Sequence, residues 1–145
     1  GMETNEAGVA PDMPHRSIPE LLRDPATTVA VVGATDRPGK YGGIIYRDLK
    51  AKGFRVLAVN PYRDEVDGDP CYRSLDVLPE APTIVDYVVP PKRTLETLGV
   101  AKRLGYLNAW VQPGAEDEDV VAYLEAEGFT YLVNACIMVQ APAHA

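Results

Sequence analysis

Hydrophobic and polar positions follow two different periods along this chain. Apolar runs that do not alternate occur at Thr28–Val32, Arg55–Val59, Thr83–Val89, Asn108–Val111 and Thr130–Val133. They predict strands, the first of them, Thr28–Val32, buried on both faces. Between them the period lengthens to that of a helix. Over Tyr41–Lys52, Ile44, Ile45, Leu49 and Ala51 form an apolar side, and Arg47, Lys50 and Lys52 a wet one. Helices are also predicted over Thr94–Leu104 and Glu116–Glu127, the latter acidic at its start as the macrodipole favours. Gly53, Gly105 and Gly128 follow the helices as terminating glycines. Ser17-Ile18-Pro19-Glu20 reads as a capping box opening a short helix to about Arg23. The segment Tyr62–Pro82 is loop-rich, with turn signals at Asp67-Gly68-Asp69-Pro70 and a short helix around Ser74–Leu78. Pro90-Pro91 closes the third strand.

This alternation predicts an α/β fold, a Rossmann-like doubly wound sheet of about five parallel strands with helices on both faces. The 145 residues suffice for one domain, expected over 15–145, behind an acidic, proline-containing lead at 1–14 expected to be disordered. No apolar run approaches the roughly 18–20 residues that cross a membrane, and the lead lacks the basic start and apolar stretch of a secretory signal. A cytoplasmic location is therefore expected. Cys71 and Cys136 are isolated, and His15 and His144 sit near the two ends, so neither a metal site nor a disulfide framework is predicted. The net charge of −7 argues against a nucleic-acid surface. A small anionic ligand needs only local positive groups.

The richest local signal is the run from Val29 to Gly43, where a strand stops at Gly33, passes through a polar loop and opens into a helix. Such a junction places backbone N–H groups beside the carboxyl end of a central strand, where phosphate is attracted. Neither common nucleotide motif fits. The second glycine of a dinucleotide fingerprint is Thr35 here, after Ala34, and five residues separate Gly33 from Gly39-Lys40 where a Walker loop has four. Tyr41 then stands where the Mg²⁺-binding hydroxyl residue of a Walker loop is needed, and Gly39 and Gly42 arrive too late for the dinucleotide pattern. The competing reading makes Gly33 the tight turn of a packed βα unit. Arg37 and Lys40 weigh against it, because a bland turn needs no cations.

Two further junctions add charge. The second strand ends at Asn60-Pro61-Tyr62-Arg63, without the carboxylate that usually accepts the ribose hydroxyls of NAD. Arg63 supplies charge for a phosphorylated ribose, although Asn60-Pro61 also reads as a plain turn with an exposed arginine. At Val89-Pro90-Pro91-Lys92-Arg93, the prolines form a flat apolar wall suited to an adenine face. Lys92 and Arg93 sit at a helix start, where an anion would relieve them, or else they are solvent-facing charges.

Taken together, these junctions resemble the CoA-binding domain family, and more narrowly its small single-domain bacterial members of the YccU-like type. The resemblance spans about Thr27 to Val139. It is carried by the residues at 29–35, 53–61, 72–75 (Tyr-Arg-Ser-Leu), 85–91, 109–114 (Ala-Trp-Val-Gln-Pro-Gly) and 134–139 (Asn-Ala-Cys-Ile-Met-Val). It implies CoA or acyl-CoA as ligand, with Gly33, Ala34 and Thr35 at the pyrophosphate. Asn60, Pro61 and Arg63 would border the adenosine and its 3′-phosphate, and Val89, Pro90 and Pro91 the adenine. The N-terminal part of the succinyl-CoA synthetase α subunit is a related domain, in which a phosphate-binding lysine matches Arg63. The tail Gln140-Ala141-Pro142-Ala143 departs from the acidic-His-Arg pattern expected of the small members.

No nucleophile–base–orienter set is evident, so the reading is a non-catalytic CoA-binding module whose protein partner is unknown. Gln112 and Gly114, at the end of the fourth strand, line the pantetheine path or form a plain turn. Cys136 is a candidate for thiol chemistry with CoA, against its reading as a small buried hydrophobe. The alternatives are therefore a dinucleotide-sensing regulator and a thiol-dependent enzyme using Cys136.

Overall fold

In the computed structural model, which describes residues 3–5 and 16–144, the helix-forming segments separate into two layers around one sheet. Strands β1 (Glu3–Asn5), β2 (Thr28–Val32), β3 (Arg55–Val59), β4 (Glu65–Val66), β5 (Asp69–Tyr72), β6 (Ile84–Tyr87), β7 (Asn108–Val111) and β8 (Thr130–Val133) lie in the order β1-β8-β7-β6-β2-β3-β5-β4. The six from β8 to β5 run parallel, and the short outer strands β1 and β4 pair antiparallel. This is the doubly wound α/β architecture the pattern predicts. All five predicted strands are present, β6 being shorter than its apolar run.

The sequence reading has no counterpart for β1, β4 and β5. Strand β4 is too short to show a period, and β5 carries Asp69 and Pro70, both poor strand formers. They form because Asp67 (φ 54°) and Gly68 (φ 77°) make the two-residue hairpin turn that the Asp-Gly signal announces. Within the lead expected to be disordered, Glu3–Asn5 instead pair with Tyr131–Val133. Backbone hydrogen bonding against the sheet edge requires no apolar side chains. The remaining lead residues, His15 and Ala145 lie outside the described residues.

Helices α1 (Ile18–Arg23), α2 (Tyr41–Ala51) and α5 (Ile137–Gln140) cover one face of the sheet. Helices α3 (Pro91–Leu104) and α4 (Glu118–Ala126), with a 3-10 turn at Leu75–Val77, cover the other. Ser17 caps α1 as predicted, accepting from Glu20 N–H at 3.4 Å and donating to the Glu20 carboxylate at 3.2 Å. Helix α3 starts earlier than predicted. Pro91 takes its first position, where a missing N–H costs nothing. The apolar side of α2 is rotated from the predicted one: Tyr46 is buried and Ile44 is exposed. Tyr46 can be buried because its hydroxyl donates to Asp69 at 2.7 Å.

One buried core carboxylate, that of Asp86, finds no hydrogen-bond partner for either oxygen among the described residues. Asp86 is fully buried in β6, with Val31 and Trp110 as register neighbours on β2 and β7. Burial holds its pKa well above the ordinary carboxylate range. A group raised in this way makes its full contribution to stability below the unfolded pKa, near 4, and loses it as pH climbs through the folded value. Unfolding midpoints followed from pH 4 to 9 should therefore fall for the native chain. Asp86→Asn keeps the volume without the charge. It should flatten that slope and gain about 1.4 kcal/mol at neutral pH for each unit of elevation below the working pH. Parallel profiles for the two proteins would show that Asp86 is not the titrating group.

Candidate functional site

Strands β2 and β6 lie side by side, but their following helices go to opposite faces, α2 to one and α3 to the other. The chain therefore opens a crevice at the carboxyl ends of these strands, the topological switch point where doubly wound sheets place ligands. The loop from Gly33 to Lys40 forms its floor. Gly33 (φ +102°) donates to Val59 O at 2.9 Å. A β-carbon there would lie 2.5 Å from Val88 O, so only glycine lets the ends of β2 and β6 approach this closely.

The next glycines explain the irregular motif. A β-carbon on Gly42 would stand 1.9 Å from Gly33 O, and one on Gly43 would stand 2.3 Å from Thr35 O. These two residues press the first turn of α2 against the loop, the helix-packing task of a fingerprint's third glycine carried out farther along the chain. Lys40 is the N-cap and makes no side-chain cap bond. Thr35 Oγ1 accepts from Arg37 N–H at 3.1 Å and tightens the turn.

Side-chain amides fasten the neighbouring junctions. Asn60 donates from Nδ2 to Ala34 O at 2.9 Å, and its Oδ1 accepts from Tyr62 N–H at 2.9 Å. Gln112 Oε1 accepts from Ile137 N–H at 3.0 Å, tying β7 to α5. Thr94, fully buried, donates towards Val89 O and Pro90 O and holds the proline exit of β6. The β4–β5 hairpin is anchored to the same floor: Asp36 Oδ1 accepts from Asp67 N–H at 2.9 Å, and Lys50 pairs with Asp67 and Asp69 at 3.2 and 2.8 Å. These hydrogen bonds raise the pKa of Lys50 and lower that of Asp69.

The resulting cleft of about 720 Å³ is lined by Gly33, Thr35, Arg37, Lys40, Tyr41 and Gly42 from the loop and α2. Asn60, Pro61 and Tyr62 line it from β3, Val89, Pro90, Pro91 and Arg93 from β6 and α3, and Gln112 and Gly114 from β7. Its volume lies within the roughly 300–1,000 Å³ of small-molecule sites. Three sequence candidates fall elsewhere. Ala34 is fully buried, and its carbonyl is spent on Asn60. Arg63, carried past the turn at Pro61-Tyr62, lines an adjoining outer pocket with Asp64, Cys71 and Tyr72. Cys136 sits half-buried as the N-cap of α5, behind Gln112, and does not line the cleft.

The sequence reading missed Arg73, Ser74, Glu96 and Thr97, which the cleft gains from the segment after β5 and from α3. The Tyr-Arg-Ser-Leu element was the available signal for Arg73, which lines both the cleft and the outer pocket. Cations dominate the lining: Arg37, Lys40, Arg73 and Arg93 against the single carboxylate of Glu96. None of these cations has an ion-pair partner among the described residues. The Arg93 guanidinium lies 5.8 Å from the ring centroid of Tyr62. Cys71 donates to Asn60 O at 3.8 Å, and burial pushes its thiol up to about 11. Among the described residues, no three His, Cys, Asp or Glu side chains gather as a metal-binding group. No helix there is long and apolar enough to cross a membrane.

The loop glycines should separate in their tolerance of a methyl group. Gly42→Ala forces α2 off the loop and should cost about 3 kcal/mol in chemical denaturation. Gly39→Ala meets nothing within 4 Å and bears only the strain of its φ of +77°, about 1 kcal/mol. Equal costs would mean that the α2 contact is not tight in solution.

Sequence and fold both match known proteins. The family model described as a CoA binding domain matches residues 27–142. An uncharacterized Bacillus subtilis protein, YneT, is 30% identical over 131 residues, covering 88% of this chain and 92% of that protein. An ADP-forming acetate–CoA ligase of Archaeoglobus fulgidus is 30% identical over 119 residues, which make up 75% of this chain but only 17% of the ligase. A conserved hypothetical protein of Pyrococcus furiosus superposes with a TM-score of 0.76 at 46% identity, over 79% of this chain and 98% of that one. With a family match extending from before β2 to beyond α5, the chain belongs to the CoA-binding domain family.

Proposed function

We propose that this protein binds CoA or an acyl-CoA without transforming it, with the pyrophosphate on the loop from Gly33 to Lys40. The observation that carries this reading is the convergence of Arg37, Lys40, Arg73 and Arg93, without an ion-pair partner among the described residues, on one crevice of a chain whose net charge is −7. Like charges gathered in this way repel one another, and a bound polyanion offsets that repulsion. The adenosine then lies between the Asn60–Tyr62 turn and the Val89-Pro90-Pro91 wall. Arg73, with Arg63 beyond it, meets the ribose phosphate, and the pantetheine follows Gln112 and Gly114.

Two features favour CoA over NAD. The turn after β3 offers no carboxylate to a ribose diol, and the Asn60 side chain is already engaged with Ala34 and Tyr62. The non-catalytic reading is supported by the lining itself, in which Glu96 is the one carboxylate and Cys136 takes no part. The kinship with part of an acetate–CoA ligase is consistent with a binding module.

Calorimetric titration should rank CoA above dephospho-CoA and both above NAD. Lys40→Ala should weaken CoA by about tenfold or more, the equivalent of one lost charge-assisted hydrogen bond. Arg73→Ala should narrow the gap between CoA and dephospho-CoA. NAD binding as tight as CoA would overturn the proposal, and hydrolysis of acetyl-CoA by the purified protein would remove its non-catalytic part.

A further inference from the structure

Tyr62 leaves 80% of its surface exposed at the rim of the cleft. Its backbone is nevertheless fixed: Pro61 precedes it, and Asn60 Oδ1 holds its N–H at 2.9 Å. A broad aromatic face is thus presented to solvent on a rigid turn, an arrangement that suits a stacking surface. The groups opposite it are equally specific. Arg93 reaches over the ring from the first turn of α3, with its guanidinium carbon 5.8 Å from the centroid. A cation in that turn opposes the helix dipole, and Arg93 has no carboxylate partner among the described residues. Pro90 and Pro91 line the same cleft on the α3 side.

We infer that Tyr62 and Arg93 form an exchangeable clamp for a purine base. The inference rests on the reading of the cleft as a CoA-type nucleotide site. The base stacks on the Tyr62 face that Arg93 now reaches over, with the proline wall opposite. The displaced guanidinium turns to the ligand's phosphate. Each partner gains from the exchange. A purine offers the ring a larger stacking area than a guanidinium does, and an anion satisfies Arg93 better than a ring face does. Stacking makes no hydrogen-bond demand on the base, so the device selects for size and planarity and favours purine over pyrimidine nucleotides.

The test follows the fluorescence of 1,N6-etheno-CoA, which stacking quenches, alongside titrations with CoA, adenosine 3′,5′-bisphosphate and 4′-phosphopantetheine. Tyr62 is exposed, so its substitution leaves the core intact. The wild type and Tyr62→Phe should quench the probe. Tyr62→Leu should lose the quenching and bind CoA and the bisphosphate about tenfold more weakly, while 4′-phosphopantetheine, which has no base, keeps its affinity. Unchanged quenching and affinity in Tyr62→Leu would overturn the clamp and leave the CoA reading standing. A wild-type protein that binds the bisphosphate but not CoA would remove the CoA reading; the clamp then stands if Tyr62→Leu weakens the bisphosphate about tenfold and falls if it does not. Binding of neither would overturn both.

Discussion

The carbonyl oxygen of Gly33 occupies the space where any other residue at position 42 would carry its β-carbon. The cleft depends on this contact. It holds the first turn of α2 against the end of β2, which sets where Arg37 and Lys40 point. The loop it defines then serves as an anchor for more distant parts of the chain. Asn60 reaches its Ala34 carbonyl from β3, and the β4–β5 hairpin reaches Asp36 through the backbone of Asp67. A methyl group at position 42 would therefore displace more than one helix turn. A glycine spacing that fits neither standard nucleotide motif is the trace of this arrangement in the sequence.

Much of the architecture is legible in the chain because buried parallel strands need unbroken apolar runs, and the helices between them need capped, amphipathic ones. Legibility fails where structure rests on something other than periodicity. Strands β1, β4 and β5 pair through their backbones with little hydrophobic content. Helix α5 is a single turn, begun where Gln112 accepts the Ile137 N–H. The buried face of α2 departs from its apolar period because Gly42 and Gly43 fix its rotation, and because the Tyr46 hydroxyl finds Asp69 across 23 residues. In the cleft, residues at strand ends are readable, since topology delivers those ends to one edge. Arg73, Glu96 and Thr97 arrive from segments whose orientation only packing decides. Arg63 is turned to the outer pocket by a change of chain direction that no spacing rule records.

The polar residues around the cleft divide into two kinds. Asn60, Gln112, Thr94 and Asp36 spend their hydrogen-bonding capacity on the protein's own backbone, and their effect is to fix geometry. Arg37, Lys40, Arg73 and Arg93 spend theirs on no carboxylate among the described residues. Such a division suits recognition, because a site whose frame is already satisfied does not reorganise when an anion arrives. It also reconciles an acidic protein with the anionic ligand proposed for it. At physiological salt, fields from exposed carboxylates fade over about 8 Å, so an approaching anion is governed by the groups lining the crevice.

The two ends of the sheet carry a separate consequence. Parallel strands stacked side by side would leave β8 and β5 with open rows of backbone donors and acceptors, ready to recruit another chain. Instead each is closed by a strand of two or three residues running the opposite way. So short a strand satisfies its neighbour but offers a poor template for further growth. The sheet is thereby terminated at both margins, and the protein can keep its binding edge open without becoming a seed for aggregation.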